Sequence, residues 1–173
     1  STEDHAILGV KTAKKEKVLD GLAPGEAKLV LAAIAMHNRR FVPAGVRREA
    51  RFITGVVRDA DKVDIMRVMR GYLLPTASYN EVVTLGVKEH PTNFSRELYD
   101  DIMSGKVADY GHMRWVTDFK MLICGWINDL SFPYTKQLIR ERGDLQGILG
   151  TLPDIPEMAL LQKRILAGLN GAA

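Results

Sequence analysis

The sequence predicts an all-α fold of seven to eight helices. Three observations carry that expectation. Apolar residues recur at i, i+3, i+4 and i+7 along nearly the whole chain. Strand-type alternation is almost absent. Prolines and glycines break the pattern at intervals of about one helix length.

The first helix is expected from about Asp4 to Leu19, with Ser1, Thr2 and Asp4 all able to cap it. An opening on a cap and a helix reads as the middle of a longer polypeptide. DGLAPG, residues 20–25, makes the first turn. A second helix begins near Glu26 and carries Val30, Ala33, Ile34 and His37 on one face, ending in NRRFVPAG at 38–45. The third and longest runs from about Arg47 to Leu74, where Pro75 closes it. Residues 76–93 are the one clear non-helical connection, with VVTLGV as a short strand or extended loop. Further helices are expected at about 95–104, 112–130, 134–142, 144–151 and 156–168, with prolines in PYTKQ and PDIPE at helix starts. No repeat, low-complexity tract or long linker divides the chain. One domain over 1–173 is therefore expected, with 76–173 as a helical extension packed on 1–75.

At 173 residues and 46% hydrophobic, the chain can bury a sizeable core. A net charge of +3 favours phosphate-bearing partners without resembling a nucleic-acid tail. The single cysteine, Cys124, excludes an internal disulfide and a thiolate metal cage, and its apolar setting in MLICGWI reads as a buried, inert thiol. No apolar run reaches the roughly 18 residues of a membrane span, and no signal peptide opens the chain. A soluble, cytoplasmic protein is the expectation.

RDADKVDIMR, 58–67, places three aspartates and a lysine in the third helix. Counting about 100° per residue from Ile53, Asp64 falls at about 20°, inside the stripe of Ile53, Val57 and Ala60. Asp61 falls on the stripe's edge. Asp59 falls away from it and reads as solvated, within reach of Lys62. A carboxylate on a buried face must be paired, hydrogen-bonded or metal-bound. Asp64 could meet Arg67 or an arginine of another helix, or serve a site. His37 lies on the apolar face near its helix end, and His5 near the start of the first helix. Imidazoles and a carboxylate from three elements suit a transition metal that activates water.

AMHNRR at 35–40 followed by RDADKVDIMR, after a DHAILGV opening, resembles the metal-dependent HD-domain phosphohydrolases, in a bacterial subgroup. The likeness continues through FVPAGVRREARFI, VTLGV and TDFKMLICGWINDLSFP to the C-terminal helices. It implies a helical HD-like bundle, with 1–75 as the C-terminal part of the metal core. In that family the ligands run histidine, an adjacent His-Asp pair, two further histidines in two-metal members, and a final aspartate that usually follows alanine. His5 and His37 match the two later histidines, and Asp61, after Ala60, the final aspartate. No His-Asp dipeptide occurs in this chain; Asp4-His5 is the reverse order. The first histidine and the doublet are thus expected upstream of Ser1.

The resemblance implies a phosphohydrolase acting on a nucleotide or another phosphate ester, with a divalent transition metal (Mn, Fe, Co, Ni or Zn) as cofactor. Lys62 and Asp64 become candidates to hold the substrate or the attacking water, although Lys62 also reads as plain surface. Arg39 and Arg40, nearest His37 in the cluster with Arg47, Arg48 and Arg51, are candidates for gripping phosphate bidentately. A homodimer is compatible with this reading. In the helix at 112–130, Asp118 and Asp129 flank an apolar face, where cap, salt bridge and cleft wall all remain open. Lys120 could bear on substrate choice, and His90 and His112 receive no role. The rival reading is a non-catalytic HD-like module binding a nucleotide or a protein. An RNA-binding domain is a third, weakened by the low net charge and by aromatics that do not interleave with the basic residues.

Overall fold

The computed structural model describes residues 4–73 and 86–171. Among the described residues it is all-α, with eight α-helices and no strand beyond one isolated bridge between Lys88 and Trp115. The expected stop at Pro75 and most of VVTLGV lie in 74–85, outside the described residues. The chain divides into two compact units, one up to Asp61 and one from Lys62 onward.

The first unit contains α1 (His5–Lys15), α2 (Pro24–Met36) and the start of α3 (Arg48–Leu73). Asp4 caps α1, its Oδ1 accepting from the Ala6 amide at 2.9 Å. The helix stops four residues before the expected Leu19. Lys17 takes a left-handed φ of 53°, while Val18 N–H reaches Ala13 O at 3.2 Å and Lys17 N–H reaches Lys14 O at 3.3 Å. These are the two bonds of a Schellman ending. The glycine that normally marks such an ending stands at Gly21 instead, so the sequence signal falls too late. The buried apolar residues described in this unit are four alanines, Ala6, Ala13, Ala33 and Ala50. Small side chains let α1 and α2 approach closely: a Cβ on Gly9 would lie 3.2 Å from the Ile34 side chain.

The second unit holds the rest of α3, then α4 (Arg96–Met103), α5 (Val116–Gly125), α6 (Pro133–Arg142), α7 (Asp144–Leu149) and α8 (Pro156–Leu169). Its core joins Val63 and Met66 to Leu98, Ile102, Leu122 and Leu161, among others. Helix α5 runs through the middle, with eight of its ten residues buried. It is shorter than the expected 112–130. Asp118 sets its start, and after Gly125 the chain tightens into a 3-10 turn over Trp126–Asp129. Gly125 allows Ile102 to pack on the helix backbone, since an added Cβ would sit 2.8 Å from Ile102 Cγ1.

Cys124 is fully buried on α5, and that burial pushes its thiol far above the usual range. Only a thiolate reacts readily, so the native chain should show almost no reaction with a thiol reagent such as DTNB at pH 8. Stoichiometric reaction is expected only in denaturant. No helix among the described residues is long and apolar enough to cross a membrane.

Helix α3 buries the side nearly opposite to the expected one. Asp59 is 3% exposed and Lys62 8%, whereas Asp64 is exposed and pairs with Arg67 at 2.8 Å. The apolar residues Phe52, Val56, Val68 and Tyr72 face outward. The expected orientation rested on burying apolar side chains and leaving charges in water. Here the buried face carries charged groups that have partners, of which Lys62 with Asp129 is the clearest. Asp59 is therefore corrected from solvated to buried, and Asp64 from the buried stripe to an exposed ion pair.

Candidate functional site

The first unit brings His5 and His37 together. Their Nε2 atoms stand 3.2 Å apart, with the rings edge to face at 68°. His37 Nδ1 lies 2.7 Å from Ile34 O, a contact that only a protonated Nδ1 can make as a hydrogen bond. The His37 Nε2 lone pair is therefore the one presented to His5.

A second bond runs beside this pair. Asn38 donates to Asp4 Oδ1 at 2.7 Å, so the residues adjoining each histidine are themselves tied. The Ala6 amide, and next the Asn38 amide group, hold the Asp4 carboxyl below its usual 3.8. A depressed carboxyl pKa stabilises the fold above its ordinary value, and that contribution is lost as pH falls through the lowered one. The clamp thus persists through the neutral range and opens only in acid.

Helix α2 ends at His37 without a glycine cap, which leaves carbonyls beyond its last turn to be satisfied. Arg58, 7% exposed, does this: its guanidinium donates to the carbonyls of His37 and Arg39, with Arg40 O at 3.4 Å. Arg51 donates similarly to Pro43 O and Ala44 O at 2.7 and 3.2 Å. Two arginines therefore shape the 37–44 loop from which Arg39 and Arg40 emerge exposed, the latter over the Phe41 ring at 5.3 Å.

Two nitrogens bound to one metal at about 2.05 Å are about 2.9 Å apart at a right angle and about 3.4 Å apart at the tetrahedral angle. The His5–His37 separation falls between these values. The hydrogen bond from His37 Nδ1 to a backbone carbonyl is also the usual support of a metal-ligating imidazole. The spacing suits two ligands of one transition-metal ion only with His5 in its Nδ1–H tautomer, because the contact between the rings otherwise places a proton on His5 Nε2. Asp61, at the end of the same unit, is half-buried. Among the described residues, no group of three or more His, Cys, Asp or Glu side chains is disposed to hold a metal.

The other expected site residues are held elsewhere. In the second unit, Lys62 Nζ bonds Asp129 Oδ2 at 2.7 Å and Asp129 O at 3.2 Å, so Asp129 is a salt-bridge partner. Asp64 Oδ1 is taken by Arg67. Asp118 is a buried cap. Sequence reasoning named Asp4 only as a helix cap and missed Asn38 and Arg58. Arg58 had a signal, an arginine beginning RDAD opposite a helix end that lacks a glycine. The Asp4–Asn38 bond joins residues 34 positions apart and had none.

Comparison with protein-family models, with curated proteins and with solved structures returned no match.

Proposed function

We propose that this chain carries part of the metal centre of an HD-type phosphohydrolase acting on a nucleotide or another phosphate ester. The His5–His37 pair carries the proposal, through its 3.2 Å separation and the carbonyl that orients His37. A bound Mn, Fe, Co, Ni or Zn ion would supply activated water for attack on phosphorus. His5 and His37 hold that ion, and Asp61 joins them on the strength of the family resemblance. Asp4 and Asn38 keep the two imidazoles in register. Arg58 fixes the loop that bears Arg39 and Arg40, two exposed guanidinium groups of the kind that grips phosphate oxygens. Lys62 and Asp64 enter less well, because Asp129 and Arg67 already engage them.

Elemental analysis of chelator-free protein, loaded separately with Mn, Co, Ni and Zn, tests the reading. At least one ion per chain is expected in the wild type and much less in His37→Ala and Asp61→Ala. Hydrolysis of bis(p-nitrophenyl) phosphate should follow the ion content. A wild type that holds none of the four metals would sink the proposal. The missing His-Asp doublet favours a second reading, a non-catalytic HD-like module. Its signature is nucleotide binding that resists His37→Ala, with no turnover under any metal.

A further inference from the structure

The second unit holds a cavity of about 400 Å³ whose lining includes Glu89, His90, Thr117 and Lys120, with Pro91 and Val116 as apolar wall. That volume lies at the small end of ligand pockets. None of these residues takes part in the proposed metal centre, and the inference stands whether or not that reading does.

Several polar groups of the lining keep hydrogen-bonding capacity that a ligand could use. His90 Nδ1 accepts from the backbone amides of Thr92 and Asn93 at 3.3 and 3.1 Å, so a neutral ring carries its proton on Nε2 as a donor. Thr117 is 3% exposed, yet its hydroxyl makes no hydrogen bond among the described residues. Among the described residues the one side-chain polar atom that is wholly buried without a partner is His112 Nδ1, so the Thr117 hydroxyl keeps some accessible surface, and as a lining group it can donate to what enters the cavity. Lys120 Nζ donates once, to Thr151 O at 2.8 Å, leaving two further N–H groups. Partial burial holds its amine below the usual 10.5, with the Glu89 charge acting in the opposite direction. A desolvated ammonium gains more from a bound anion than one in water.

Charge decides the ligand class. The lining offers one ammonium and one carboxylate beside neutral donors. A phosphate dianion would set two negative charges against a single lysine and be repelled by Glu89. A compact zwitterion satisfies both ionised groups, and Pro91 and Val116 accommodate a short apolar substituent. We propose that this cavity binds a small zwitterion of the α-amino-acid type, with its carboxylate on Lys120 and Thr117 and its ammonium facing Glu89.

Nuclear magnetic resonance on the whole chain tests this, because Trp115 packs edge to face on the His90 ring with centroids 5.6 Å apart. Three probes suffice: L-valine, its 2-hydroxy analogue in which a hydroxyl replaces the ammonium, and inorganic phosphate. L-valine is expected to shift the Trp115 indole and Thr117 amide signals, with the hydroxy acid and phosphate at least tenfold weaker. Glu89→Gln alters an exposed side chain, so the fold should persist while the preference for valine over the hydroxy acid disappears. Thr117→Val and Lys120→Met should weaken both organic probes. If Lys120→Met does not fold, Thr117→Val alone decides, since it removes a hydroxyl the fold does not use. Phosphate binding as tightly as valine would overturn the proposal. So would the absence of any shift, or a valine preference that survives Glu89→Gln.

Discussion

Asp118→Ala is expected to destabilise the chain by about 4 kcal/mol, near the top of the range for single substitutions. The Asp118 side chain is wholly buried and accepts four hydrogen bonds. Ser95 N–H and Ser95 Oγ donate at 2.6 and 2.7 Å, and the amides of Arg114 and Trp115 at 2.9 and 3.0 Å. One carboxylate thus caps α5 and secures the residue that precedes α4. Alanine would leave several of these donors unpaired in the interior, at roughly 1 to 3 kcal/mol each, less what water recovers at the more open Arg114. Asp118→Asn keeps the shape and one carbonyl oxygen, so about half the loss is expected. Urea unfolding curves measure both. A cost below about 1 kcal/mol for alanine would show that the network contributes little.

Lys62→Met is expected to cost about 2 to 3 kcal/mol, because it takes the ammonium from the Asp129 carboxylate and sets an apolar side chain in its place. The lysine side chain is 10% exposed and the aspartate 24%, so water offsets part of the loss and the lower end of the range for broken buried pairs applies. The double variant Lys62→Met, Asp129→Leu should recover most of the stability, since a buried ion pair and an apolar pair of similar volume are often nearly equivalent. The cycle also separates two roles for Lys62. A purely structural lysine predicts that the stable double variant retains whatever phosphoesterase activity the wild type shows. A lysine that grips substrate phosphate predicts that activity falls by about 100-fold or more while stability returns.

The candidate site was partly legible in the residues. His5 and His37 stood out because imidazoles near the ends of apolar helix faces suit a shared ion, and the structure sets their Nε2 atoms within 3.2 Å. Asp59 and Asp64 were misplaced for a physical reason. A helical wheel assigns the buried side by hydrophobicity, and α3 buries charges that have partners while Phe52, Val56, Val68 and Tyr72 face outward. That choice depends on residues such as Asp129, 67 positions away, which no local pattern reveals.

The all-α class and the order of the helices were determined locally. Helical spacing, proline at the starts of α2, α6 and α8, and the apolar run through α5 each act within a few residues. The early stop of α1 comes from the local left-handed turn at Lys17, and the bounds of α5 from the Asp118 cap and the 3-10 turn after Gly125. The face presented by α3 was settled by tertiary contacts. So were the clamp of Asp4 on Asn38 and the pinning of the His37 loop by Arg58. Backbone hydrogen bonding within a helix reads only its own turn, whereas a buried charge or an uncapped carbonyl takes whichever partner the fold brings to it. Local pattern therefore sets which segments are helices, and long-range pairing sets which of their side chains meet.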